Sequence, residues 1–233
     1  MNQITIATYN IRHGYDVKCD WNKIAENIAQ SGADIVGFQE IDMFTKRIGG
    51  RDTISGLTEA TGLSHALFVP AMDFDGGQYG TAVLSRFPIT AWEVCPLYAD
   101  KYEPRAFGCV TVTMDDGRSL CFLNTHLSYE SRKLQDVQFN QLASWMATHI
   151  PEGIPTVLTG DFNTEAFAAF TPLKAIGYAL VNHEGNEYKT FRTTGNAIDN
   201  IVYRKSLLAP VDMGMIDSDR SDHNLLWCRL KFI

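Results

Sequence analysis

Short apolar runs that stop abruptly at polar residues recur along the chain. Alternating or β-branched stretches at Ile4–Tyr9, Ile35–Gln39, Ala66–Val69, Thr81–Ser85, Phe107–Met114, Leu120–Thr125, Thr156–Thr159, Ile198–Tyr203 and Leu225–Leu230 predict strands. Asp115-Asp116-Gly117-Arg118 predicts a hairpin between two of them, because Asp-Gly supplies the positive φ angles such a turn demands. Part of the sheet structure is therefore antiparallel. Helical spacing appears at Trp21, Ile24, Ala25, Ile28 and Ala29, with Asp20 as the expected N-cap, and at Leu134, Val137, Leu142, Trp145 and Met146. Shorter helices are expected at Thr53–Thr61 and Ala166–Ile176. Many strands with a few one-faced helices predict an α/β chain of the α+β type, with sheets packed face to face and helices outside.

Composition narrows this picture. The 233 residues are 45% hydrophobic, enough for a large core, and no linker or charge block divides them, so 1–233 is expected to be one domain. The formal net charge of -7 argues against a protein that clamps long nucleic acid by neutralising phosphates. Cys19, Cys95, Cys109, Cys121 and Cys228 are odd in number and lack a CxxC pair, which predicts free thiols. No apolar run approaches membrane-spanning length, and a strand pattern begins within a few residues of Met1. A cytoplasmic protein is expected, although an exported protein that has lost its signal peptide would read the same.

The polar clusters at the strand ends carry the candidate chemistry, since catalytic groups sit on strand-end loops held by a rigid sheet. Glu40 follows the buried run Ile35-Val36-Gly37-Phe38, where a carboxylate suits Mg²⁺, a small hard cation that takes few protein oxygens; a solvated strand end is the plainer alternative. Asn10 ends the first strand in the same way, either at the site or in a turn. His126, in Asn124-Thr125-His126, is placed to donate to a phosphoryl oxygen or to serve as a structural hydrogen-bonder. In Gly160-Asp161-Phe162-Asn163, Asp161 suits the orientation of water or support of a leaving group, and Asn163 suits donation to phosphate. Asp199 is an acid within a largely apolar strand, and such acids are rarely left unpaired. In Ser221-Asp222-His223 the expectation is a dyad, with the Asp222 carboxylate holding the ring or a metal-bound water and His223 acting as general base. Arg105 has the planar fork for a substrate phosphate, against a surface salt bridge. His13 and Arg12 either line the same pocket or cap the strand exit, and Tyr79 either stacks on substrate or belongs to the core.

Taken in order, Thr8-Tyr9-Asn10-Ile11, Gln39-Glu40, Gly80 to Pro88, Asn124-Thr125-His126-Leu127, Gly160-Asp161-Phe162-Asn163, Ile198-Asp199-Asn200-Ile201 and Ser221-Asp222-His223 resemble the endonuclease/exonuclease/phosphatase superfamily. The resemblance implies a four-layer α/β/β/α sandwich with two central, mostly antiparallel sheets. It implies a hydrolase that uses Mg²⁺ or Mn²⁺ to cut phosphoester bonds by direct attack of water. By motif, Glu40, Asn10 and Asp222 lie at the metal, with Asp222 paired to His223. His126, Asp161, Asn163, Asp199 and His223 are catalytic, with Asp199 supporting an imidazole; Arg105, Tyr79 and His13 are left as substrate contacts. The wider strings Asn10-Ile11-Arg12-His13-Gly14 and Gln39-Glu40-Ile41-Asp42, with Arg47 and Asp52 beyond, look most like a compact bacterial branch of metal-dependent hydrolases. No Lys/Arg-rich insertion for gripping duplex DNA is seen, nor an aromatic hairpin for docking on lipid. The expected partner is therefore a small or lipid-derived phosphoester, with nucleic acid the alternative and a non-catalytic phosphoester-binding module the remote one. A monomer is expected.

Overall fold

The computed structural model describes residues 2–233. The first half of the chain forms β1 (Gln3–Asn10), α1 (Trp21–Ser31), β2 (Ile35–Met43), α2 (Thr53–Thr61), β3 (His65–Phe74), β4 (Gly77–Ser85), β5 (Ile89–Leu97) and β6 (Arg105–Thr113). The second half forms β7 (Ser119–His126), α3 (Arg132–His149), β8 (Thr156–Asp161), α4 (Thr171–Ala175), β9 (Tyr178–Leu180), β10 (Asp199–Arg204), β11 (Leu208–Ile216) and β12 (Leu225–Phe232). No helix among the described residues is long and apolar enough to cross a membrane.

The strands make two six-stranded sheets, ordered β11-β12-β1-β2-β4-β3 and β5-β6-β7-β8-β10-β9. Each is antiparallel except at its centre, where β1 pairs with β2 and β7 with β8 in parallel. A parallel pair needs a crossover, and α1 and α3 provide it. The same order of strands is thus built twice, without an evident repeat in the residues. Three hydrophobic clusters fill the spaces between layers. One lies between the sheets and includes Ile6, Val83, Val110, Phe122, Val157 and Leu226. A second includes Tyr9, Ile24, Ile28, Phe38 and Leu57, under α1 and α2; a third includes Phe139, Leu142, Met146, Leu158 and Phe170, under α3 and α4. The result is the α/β/β/α sandwich.

The strands missing from the sequence pattern are edge strands. β5, β9 and β11 are absent from it, and β3 reaches well beyond Ala66–Val69. An edge strand is covered on fewer sides and carries no sustained apolar run; β5 is largely exposed, Trp92 included. Prolines 70, 96 and 210 interrupt β3, β5 and β11, where a missing N–H does least harm. At the helices, Asp20 makes no capping bond to α1, whereas Asp52 accepts from Ser55 N at 2.9 Å and caps α2. Val137 is 40% exposed, so it falls off the buried stripe of α3 that Leu134, Leu142 and Met146 define. The five cysteines are free thiols, and the Asp115–Arg118 turn closes with Gly117 at φ 81.

One buried side chain joins the two sheets near the centre. Asn124, on β7, donates from Nδ2 to Phe38 O (2.8 Å) and Ala82 O (2.9 Å) of the opposite sheet. Its Oδ1 accepts from Gln39 Nε2 (2.7 Å) and Thr159 Oγ1 (3.0 Å). Gly37 makes the approach possible, since any Cβ there would run into Thr159 and Asn124. All of these groups are buried, so removing the amide strands several of them at once. Asn124→Leu is expected to lower the unfolding free energy by roughly 3–5 kcal/mol in a denaturant titration, and a loss below about 1 kcal/mol would contradict the staple.

Candidate active site

Strand register brings the first acids and a histidine into one row. His126 is the register partner of Asp161 across the parallel pair β7–β8, and Asp161 is the partner of Asp199 across β8–β10. All three are buried. Two carboxylates directly opposite each other repel unless something stands between them. His223 does so: Nδ1 lies 2.8 Å from Asp199 Oδ2 and Nε2 lies 3.6 Å from Asp161 Oδ2. Burial opposes a charge on this ring, but the two carboxylates more than offset it and push His223 up to about 10. Burial and the facing Asp199 raise Asp161 to about 7, against the pull of His223.

The expected Asp222–His223 dyad is therefore corrected. Ser221 Oγ donates to Asn10 O at 2.8 Å, which ties the loop to the end of β1 and turns His223 inward to Asp199. Asp222 lines the same cavity and lies 3.5 Å from Arg12 Nε, while the carboxylate bonded to the ring is Asp199, so adjacency in the chain misidentified the ring's partner.

Glu40 owes its position to a bulge. Between Phe38↔Ala82 and Ile41↔Gly80, Gln39 and Glu40 both face Thr81, the one extra residue that re-aims a side chain at the end of a strand. Glu40 takes φ 56 there, and Asn163 has φ 50 and His13 φ 45, conformations that non-glycine residues seldom adopt without a reason in the fold. Asn10 Nδ2 donates both to Glu40 Oε1 (3.0 Å) and to Asp161 Oδ2 (3.1 Å), bridging the two sheets' acids. Its Oδ1 accepts from Arg12 N at 3.0 Å. His13 Nδ1 lies 3.8 Å from Glu40 Oε2. Burial raises the Glu40 carboxyl, yet His13 and Asn10 outweigh it, with the nearby imidazoles, and bring it down to about 2.

His126 is held in the opposite state to His223. Arg105 is buried rather than at the surface, with Nη2 3.0 Å from Glu103 Oε1 and Nη1 2.8 Å from His126 Nδ1. A guanidinium has only donors, so Nδ1 accepts and the ring proton sits on Nε2. Burial first and the Arg105 charge second hold His126 well below the ordinary histidine value, and the ring is neutral. Nε2 lies 3.5 Å from Asp161 Oδ2 and 3.1 Å from Asn163 Nδ2, which also donates to Leu127 O at 2.9 Å.

These groups open onto a cavity of about 460 Å³ lined by Glu40, Asp161, Asn163, Asp222 and both histidines. Tyr79 and Arg105 line it as well, whereas His13 reaches it only through Glu40. Three wall residues, Phe74, Tyr129 and Phe191, had no signal in the sequence, and Arg47 was marked only as part of the wider string beyond Glu40. Asp161, Asp199 and His223 are also a group whose ligand atoms lie within 4.8 Å of one another, but the short Asp199–His223 bond already occupies two of those atoms.

Known proteins share this fold. The profile of the Endonuclease/Exonuclease/phosphatase family matches residues 7–223, and the chain belongs to that family of hydrolases. Among curated proteins, the uncharacterized protein YbhP of Escherichia coli K12 is 34% identical over 99 residues, which are 42% of this chain and 38% of that protein. The aligned part is thus well under half of that relative's length. Among solved structures, a family member from Beutenbergia cavernae superposes with a TM-score of 0.79 at 18% identity, covering 100% of this chain and 72% of that one. The mannosyl-6-phosphatase Bt3783 of Bacteroides thetaiotaomicron gives 0.73 at 19% identity over 99% of both chains. At such identities the likeness is one of fold.

The charge on His223 fixes the sign of a pH effect in metal-free protein. A ring whose folded value lies above its unfolded one adds stability that is complete below roughly pH 6.5 and is lost as the pH climbs through about 10. The stability difference between the native protein and His223→Gln should therefore shrink as the pH rises across that window in chelator-treated samples. A difference that grows with pH would contradict the ion triad.

Proposed function

We propose that the protein is a metal-dependent phosphoester hydrolase acting on a small or lipid-derived phosphoester, with Mg²⁺ or Mn²⁺ as its cofactor. The carrying observation is the contrast between the two histidines: one kept neutral as a donor, the other held by a carboxylate with its second nitrogen toward the cavity. Beside Asn10 the cavity offers carboxylate oxygens from Glu40, held ionised, and from Asp222, and such donors fit a hard divalent cation. Glu40 and Asp222 would hold the ion, and Asn10 would fix Glu40. When bound, the cation supplies Lewis-acid polarisation of the phosphoryl oxygens and a positive charge that favours the neutral form of His223.

The protein groups divide the remaining work. His223 Nε2 and Asp161 Oδ2 lie 3.6 Å apart, near enough to serve one water, with Asp161 orienting it and a neutral His223 taking its proton. The new P–O bond forms as the ester P–O bond breaks, and Asp199 steadies the imidazolium that results. His126 Nε2–H and the amide of Asn163, 3.1 Å apart, are two donors to which an incoming phosphoryl oxygen would bind. Arg105 acts through His126 by fixing its tautomer.

Hydrolysis of a chromogenic phosphodiester and a panel of nucleotides, inositol phosphates and phospholipids tests this reading. Activity with Mg²⁺ or Mn²⁺ should vanish in excess chelator, His223→Ala should lower kcat by about a hundred- to ten-thousandfold, and Glu40→Ala should remove the response to metal. Undiminished turnover in chelator would refute it. Turnover confined to DNA or RNA would move the protein to the nucleases of the family.

A further inference from the structure

The cavity wall next to the catalytic groups is cationic and aromatic. Arg47, on the loop after β2, gives Nε and Nη2 to the two oxygens of Asp42 at 2.6 and 2.7 Å. Asp42 is fully buried and also accepts from Thr45, whereas the Arg47 side chain is 33% exposed and faces the cavity. The fork is thus locked in one plane, with Nη1 left without a protein partner among the described residues. Its guanidinium carbon lies 4.5 Å from the Phe74 ring and 5.7 Å from that of Tyr79. Arg105, 3% exposed, lines the same cavity in contact with the Tyr79 hydroxyl, and its Nε is buried and unpartnered.

We propose that Arg47, with Tyr79 and Arg105, forms a second anion-binding subsite, and that the natural substrate carries a second anionic group, a phosphate or a carboxylate, besides the phosphoester that is cut. The inference deepens the phosphoester-hydrolase reading and rests on it. Asp42 and Glu103 compensate the two guanidinium charges, so the subsite works through the fixed, unspent Nη1 of Arg47 and the Tyr79 hydroxyl, which Arg105 holds in place, rather than through net positive charge. Such donors favour a planar or tetrahedral oxyanion over a neutral group. A cavity of about 460 Å³ has room for both anionic groups and the sugar-sized body between them. A purely structural Arg47, present only to neutralise Asp42, would instead leave the choice of substrate unaffected.

The test compares a sugar bisphosphate with the matching sugar monophosphate, both with Mg²⁺ present. The native protein should favour the bisphosphate in kcat/KM by about tenfold to a hundredfold, the worth of one or two charge-assisted hydrogen bonds. In Arg47→Gln that ratio should fall to near unity, and Arg47→Lys, which keeps a point charge but not the fork, should lie between. A native ratio near unity, or one that Arg47→Gln leaves intact, overturns the subsite. Equilibrium binding of the same two sugars to His223→Ala with Mg²⁺ is measured alongside by calorimetry, and equal affinities there also overturn it. Should neither ester be turned over while the bisphosphate still binds more tightly through Arg47, the hydrolase reading falls and the subsite stands. If Arg47→Gln does not fold, the native ratio and Arg47→Lys decide the matter.

Discussion

The amide of Asn124 is the interaction on which the rest of the site depends. It lies at the seam between the sheets, two residues before His126 on one side and bonded to Phe38, two residues before Glu40, on the other. A sandwich held only by apolar contacts could slide by a fraction of a side chain, whereas three directional bonds to Phe38, Ala82 and Gln39 fix the level of one sheet against the other. The rim above then presents Asn10 and Glu40 from one sheet at hydrogen-bond range of Asp161 from the other. Gly37 has its place in the same device, as the gap through which the two sheets meet.

Environment divides the two buried histidines. His126 has a cation at its back and is kept neutral; His223 has two carboxylates around it and is kept charged. One fold thereby holds two imidazoles in opposite protonation states within reach of a shared aspartate. Asp161 is the pivot, in contact range of both rings and of Asn10, and its own raised value follows from standing opposite Asp199.

Most of this was legible in the residues, and the exceptions share a cause. Central strands and the residues at their carboxyl ends were evident, because a strand buried on both faces is written as an apolar run and its end as a sudden polar group. Asp199 announced itself as an acid in an apolar strand and proved to be the partner of His223. Asp222 misled because loop geometry, not sequence adjacency, decides which way a side chain turns. Arg105 looked like a surface residue because the residues before it are polar; its burial comes from β7 and the loop of Glu103, which no local pattern reveals. Arg47 lay outside any apolar run, and its role is set by Asp42 and by two rings that arrive from β3 and β4. Edge strands were the part of the fold that left no mark.

Those edges have a consequence for how the molecule meets other chains. Three of the four outer strands, β3, β5 and β11, carry a proline, and the fourth, β9, is three residues long. A further strand seeking to extend either sheet would find a missing donor or too short a template at every side. Strand addition, whether by a copy of itself or by an extended peptide, is therefore disfavoured at these edges.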